Sequence, residues 1–251
     1  MNQERNIRLL IAYDGTVYRG WQRQKESPTI QGTIEEVLCR LTQEKITLHG
    51  AGRTDSGVHA WGQVANFKIS SELTIAKLEG ALNALLPKDI LVRQVQEAEP
   101  TFHARYSCQA KVYDYLICNQ RASTPFLRHY VWSIREHLEM ELVKKGLSLL
   151  MGEHDFASFQ TQGSEVWQSV RTITQASVLP VPGIGFRIRF MADGFLRHMV
   201  RNMVGIIIRV GLKRITLEEL AEVIQAKDRT RAGEMAPPHG LFLRKVLYPH
   251  V

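Results

Sequence analysis

The spacing of apolar residues switches between strand and helix periods in the order β-α-β-β-α-β over residues 8–95, and this order restricts the fold more than any other feature. Arg8 to Tyr13 is rich in Leu and Ile, as a buried strand would be, and Asp14-Gly15 ends it in a turn. After Ser27-Pro28, Ile30, Ile34, Val37, Leu38 and Leu41 fall on one helical face. Lys45 to His49 and Gln63 to Ile69 read as strands. Thr74 can cap a helix carrying Ile75, Leu78, Leu82 and Leu85, Pro87 stops it, and Ile90 to Val95 is again strand-like.

After Glu99-Pro100 the same order returns with insertions. Strands are expected at Lys111 to Cys118, Val170 to Leu179, Phe186 to Met191 and Leu241 to Tyr248. Helices are expected from Leu138 to Met151, from Phe195 to Val210, and from Thr216, where Glu219 completes a capping box. The expected fold class is therefore α+β: two ferredoxin-like β-α-β-β-α-β halves, residues 1–101 and 102–251, with a joined, mainly antiparallel sheet.

The 251 residues carry 32 Lys and Arg against 25 Asp and Glu, a net charge of +7. Excess positive charge favours polyanionic partners such as nucleic acid. No apolar stretch is long enough to span a membrane, and the start MNQERNIRLL lacks a signal-like apolar core. Cys39, Cys108 and Cys118 are odd in number and have no CxxC spacing, so neither a disulfide framework nor a zinc site is expected. A cytoplasmic protein is the expectation.

Chemistry concentrates in three places. In Gly50-Ala51-Gly52-Arg53-Thr54-Asp55-Ser56-Gly57-Val58-His59, glycines free the backbone around one carboxylate. By residue type alone Asp55 reads first as a turn residue. Arg53 argues for more, because a carboxylate beside a guanidinium stays ionised and can act as nucleophile or base. His59 reads as a packing or loop residue. Second, the helix from Phe195 places His198, Arg201, Asn202, Gly205 and Arg209 on one stripe, with Arg197 and His198 in its first turn. A mostly buried Arg201 needs a counter-ion, and Asp55 is a candidate. Third, Tyr113 and Tyr115 share a sheet face, where an aromatic ring can stack on a base. Arg19, Trp21, Gln22 and Arg23, and the loop with Arg229 and Arg231, read as nucleic-acid contacts or ordinary surface.

Six ordered segments, YDGTVYRGWQRQ, GAGRTDSGVHAWGQVANF, FHARYSCQAKVYDY, GEHDFASF, FLRHMVRNMVG and APPHGLFL, resemble the tRNA pseudouridine synthases of the TruA type. The resemblance implies an enzyme that isomerises uridine to pseudouridine at positions 38, 39 and 40 of the tRNA anticodon stem and loop. It also implies a homodimer that uses no metal and no cofactor. It maps the nucleophile onto Asp55, the uracil-stacking tyrosine onto Tyr113 and the arginine that pairs with the carboxylate onto Arg201. Arg53 maps onto the residue that intrudes into the RNA, and Leu243 is preferred over Leu241 as the aliphatic pocket residue. RNA contacts are expected from Arg19, Trp21, Gln22, Arg23, Arg105, Lys111, Arg197 and His198. Ser56 stands where many relatives carry Ala.

The rival reading is a non-catalytic structured-RNA-binding protein on a ferredoxin-like sheet. Asp55 separates the two, since a carboxylate at the centre of a basic binding site would repel phosphate.

Overall fold

A computed structural model describes residues 4–119, 125–161 and 168–249. The chain forms two compact units, one running to Gln109 and including the residues from Phe242 on, the other Ala110–Leu241.

The first unit contains β1 (Arg5–Tyr13), α1 (Ile30–Thr42), β2 (His49–Gly50), β3 (His59–Ile69), α2 (Ile75–Leu85) and β4 (Ile90–Ala98). β1 lies between β3 and β4, antiparallel to both, with Ile7 opposite Phe67 and Glu97. Ile7, Leu9 and Ile11 on one face of β1 are wholly buried together with Ala65 and Phe67 of β3. Each of the Ile, Leu and Phe side chains removed from water contributes roughly 1.5–3 kcal/mol. Thr29 and Thr74 cap the two helices through their hydroxyls, as Thr74 was expected to do. Leu86, which precedes Pro87, is extended and ends α2.

Lys45 to His49 does not form the expected strand. Leu48 spends its backbone on side chains of α1 instead: its N–H donates to Glu35 Oε1 (2.9 Å) and its carbonyl accepts from Gln31 Nε2 (3.0 Å). Only His49 and Gly50 pair with β3, opposite Asn66 and Ala65. The start of β3 has a different neighbour, β10 (Leu241–Leu247), whose Phe242 and Leu243 run parallel to His59 and Ala60.

The second unit contains β5 (Ala110–Cys118), β6 (Trp132–Ser133), α3 (Met140–Leu149), β7 (Gly152–Asp155), β8 (Val170–Val181), β9 (Gly185–Ala192), α4 (Met199–Gly211) and α5 (Leu217–Ala226). β5, β9, β8 and β7 are antiparallel neighbours in that order, and β6 pairs in parallel with β5. The Thr216-Glu219 capping box opens α5. α4 begins at Met199 rather than Phe195, because His198 takes a left-handed backbone (φ 65°) that an α-helix cannot contain. Twelve of its thirteen residues are buried, so α4 runs through the core of this unit.

Candidate active site

The loop carrying Asp55 belongs to the first unit, and Tyr13 to Trp21 grip it. Trp21 N–H donates to Thr54 O (3.0 Å), Gly57 N–H donates to Tyr18 O (3.3 Å), and Ser56 Oγ reaches the same carbonyl (3.2 Å). The Tyr13 hydroxyl lies 2.7 Å from Thr54 Oγ1, and Gly15 N–H donates to His59 Nδ1 (3.0 Å). From the other side Gln63 Nε2 holds Gly52 O at 2.8 Å. The approach is close enough that a Cβ on Gly20 (φ 88°) would stand 2.6 Å from Thr54 O. Asp55 thus sits, partly exposed, on a loop whose backbone is fixed on both sides of it. Burial pushes the Tyr13 hydroxyl pKa far up, against opposing hydrogen bonds from Thr54 and Gln63, so it stays a neutral hydroxyl. His59 is a packing residue as expected, stacked 4.7 Å from the Phe242 ring.

In the second unit the two same-face tyrosines separate in role. Tyr115 is wholly buried and its hydroxyl donates to Pro237 O (2.7 Å), so it is structural. Tyr113 is 6% exposed and meets Phe195 edge-on, ring centroids 5.1 Å apart. On the opposite face of β5, buried Asp114 receives both Nε and Nη2 of Arg189 at 2.7 Å. Arg201, in the first turn of α4 and 8% exposed, donates from Nε to Ala236 O (2.8 Å).

The expected RNA contacts divide. Arg19, Arg53, Arg105 and Arg197 are exposed and Lys111 is partly so. Arg105 leans on the Tyr106 ring at 5.8 Å. Gln22 donates to Gln31, and Arg23 pairs with Glu35 at 2.9 Å while remaining half exposed. Trp21 is corrected: at 2% exposure it lies in the core, its indole directly beneath Gly50, where it supports the Asp55 loop and has no face to offer RNA. His198 contacts Thr161 through its ring. Leu243 is wholly buried beside Ala60. Arg229 and Arg231 turn to internal partners, Asn202 and Glu222. Sequence reasoning missed the grip of Tyr13, Tyr18 and Gly20 on the loop. Its signal was the YDGTVYRGW segment, read there for a turn, for the family motif and for RNA contacts but not for a hold on the loop. Among the described residues, no helix is long and apolar enough to cross a membrane.

Proteins named tRNA pseudouridine synthase A are similar along almost their entire length. That of Thermoanaerobacter sp. (strain X514) is 43% identical over 244 residues, covering 97% of this chain and 100% of that protein. The Acetivibrio thermocellus protein gives the same figures, and that of Exiguobacterium sp. is 43% identical over 247 residues, 98% of this chain and 99% of its own. Likeness on this scale defines a pseudouridine synthase. A family model described as tRNA pseudouridine synthase matches residues 9–107 and 147–249. The chain belongs to the tRNA pseudouridine synthase family.

Proposed function

We propose that this protein isomerises uridine to pseudouridine in tRNA, with Asp55 as the nucleophile. The observation that carries this reading is the fixed Arg53-Thr54-Asp55 loop: one carboxylate held by backbone bonds on either side of it, in a chain whose relatives are named for this reaction. The non-catalytic rival gives such a carboxylate no task.

The reaction breaks the bond between N1 of uracil and C1′ of ribose and joins C5 to C1′. C5 loses its proton and N1 gains one, so substrate and product are isomers and no electrons change hands. Asp55 supplies the carboxylate that adds at C6 of the base, attacks C1′ or assists proton loss at C2′. Arg201 serves as its cationic partner and fixes its direction. Tyr113 stacks on the flipped uracil and Arg53 fills the gap left in the RNA. Flipping costs a few kcal/mol, which stacking offsets. The exposed cations Arg19, Arg105, Lys111 and Arg197 contact phosphates, which position a folded RNA without reading its sequence. The substrate positions are 38, 39 and 40 of the anticodon arm, the working form is a homodimer, and a tRNA substrate places the work in the cytoplasm.

The test is release of tritium from C5-labelled uridine in tRNA by Asp55→Asn. The expected result is no release with tRNA binding retained at fixed salt. Turnover at the wild-type rate would remove Asp55 from the chemistry.

A further inference from the structure

The segment from Arg229 to Pro237 lies along the polar stripe of α4, and its attachment is unusually specific. Residues 201 and 236 are joined twice: Arg201 Nε donates to Ala236 O at 2.8 Å, and Ala236 N–H donates to Arg201 O at 3.1 Å. One turn on, a Cβ at Gly205 would stand 2.2 Å from Glu234 O, so the segment's closeness to the helix depends on that glycine. Arg229 closes the far end. Its Nη1 donates to Gly233 O (3.0 Å) and its Nη2 to Asn202 Oδ1 (2.9 Å), while Asn202 Nδ2 donates to Phe159 O (2.6 Å). Asn202, 1% exposed, thereby uses its acceptor on Arg229 and its donor on a separate backbone.

We propose that Arg229 and Asn202 are positioning residues for Arg201. The inference rests on the reading that Arg201 serves the reacting carboxylate. The direction of a guanidinium that donates from Nε depends on where its acceptor is placed. Ala236 lies in a stretch whose only regular structure is two short 3₁₀ turns, Arg229–Ala232 and Pro238–Gly240. No strand ladder steadies the Ala236 carbonyl: its immediate neighbours are held by Ala236 N–H on Arg201 O and by the Tyr115 hydroxyl on Pro237 O, and the approach of the segment to them is set upstream by the Arg229-Asn202-Phe159 chain of hydrogen bonds and the close seat on Gly205. A catalytic group displaced by about 1 Å can cost on the order of 100-fold in rate. Arg229 thus has an internal task that its charge in the sequence does not announce: two of its nitrogens point at acceptors within the protein rather than at a phosphate.

The experiment compares Arg229→Ala, Arg229→Lys and Asn202→Ala by C5 tritium release from full-length tRNA, with tRNA affinity measured in parallel at fixed salt. The expected result for Arg229→Ala is a kcat about 10- to 100-fold lower with KM and affinity changed by less than about twofold. Arg229→Lys, which keeps the charge but reaches one acceptor at a time, should fall between Arg229→Ala and wild type. It is also the variant to use if Arg229→Ala does not fold. Under single turnover with enzyme in excess, adding the Arg229 change to Arg201→Ala should cost less than about threefold more, because its effect passes through Arg201. Lost affinity with kcat retained would make Arg229 an RNA contact. Equal losses in the presence and absence of Arg201 would make it merely structural. Either result overturns the proposal, as does wild-type kcat in both Arg229 variants. Full turnover by Arg201→Ala would instead overturn the reading of Arg201 on which the proposal rests.

Discussion

The hydroxyls of Tyr13 and Thr54 meet at 2.7 Å inside the first unit, joining the end of β1 to the residue before Asp55. Tyr13 is buried and Gln63 approaches the same hydroxyl, so removing it strands a buried Thr54 oxygen. Tyr13→Phe should lower stability by about 1 kcal/mol, seen as a lower urea midpoint at unchanged slope. Turnover should fall as well, since the loop's register is set at the neighbouring residue. Unchanged kcat in a destabilised variant would show that Thr54 holds the fold and not the loop.

Gly20 and Gly80 make a pair of opposite sign. At Gly20 the positive φ of 88° and the 2.6 Å approach to Thr54 O leave no room for a methyl group. Gly20→Ala should cost about 1–3 kcal/mol and displace the Asp55 loop, so activity falls even in the folded fraction. Gly80 lies inside α2 with nothing within 4 Å of an added Cβ. Gly80→Ala should therefore stabilise by roughly 0.5–1 kcal/mol with activity unchanged. Thermal unfolding and tritium release on the two variants decide both.

Asp114 follows Tyr113 and faces the other way, bound by both forks of Arg189 directly across the β5-β9 ladder. The hydrogen bond to Asp114 raises the guanidinium's pKa further, with burial opposing it. Breaking a buried pair costs 3–5 kcal/mol, but Arg189 is 22% exposed and Arg187 already stands 3.7 Å from the same carboxylate. Solvent will relieve part of the uncompensated charge. Asp114→Ala should lose roughly 1–3 kcal/mol, and adding Arg189→Ala to it should cost less than Arg189→Ala costs alone. Additive losses in that cycle would show that the two side chains do not act as a pair.

Local pattern carried much of this fold into the sequence. β1, α1, α2 and β4 were legible because each is specified by spacing and a cap within a dozen residues: Ile30 to Leu41 for α1, Thr74 and Pro87 for α2. Lys45 to His49 was misread because its strand-like composition says nothing of Gln31 and Glu35, which take its hydrogen bonds. By residue type alone Asp55 read first as a turn residue, and it was the family resemblance that marked it as the expected nucleophile. Its supports were not legible, since Tyr13 and Thr54 are 41 residues apart and only the folded chain joins them. Charge misled in the same way: Arg229 looked like a nucleic-acid contact or ordinary surface until the segment it closes was laid against α4. Trp21, flanked by cations and amides, looked like a binding aromatic for want of any sign that Gly50 would cover it.

His239 gives a pH dependence with a definite sign. Its Nε2 lies 3.0 Å from Val131 O, and burial holds the imidazole pKa below its usual value. The Val131 carbonyl opposes this, while the charges of His129 and Arg201 add to it. In the unfolded chain the same ring titrates near about 6.5. Between the two pKa values the unfolded state binds more protons, so this residue's contribution to stability is full above about pH 6.5 and is lost as pH falls through that value toward the folded pKa. His103, also held down chiefly by burial, adds a slope of the same sign and is present in every variant. His239→Gln keeps a donor for Val131 O and removes the titration. Thermal midpoints measured from about pH 7.5 down to about pH 5 should fall less steeply for His239→Gln than for wild type, the two curves parting below about pH 6.5. Parallel curves across that range would mean that His239 is protonated as readily in the folded protein as in the unfolded chain.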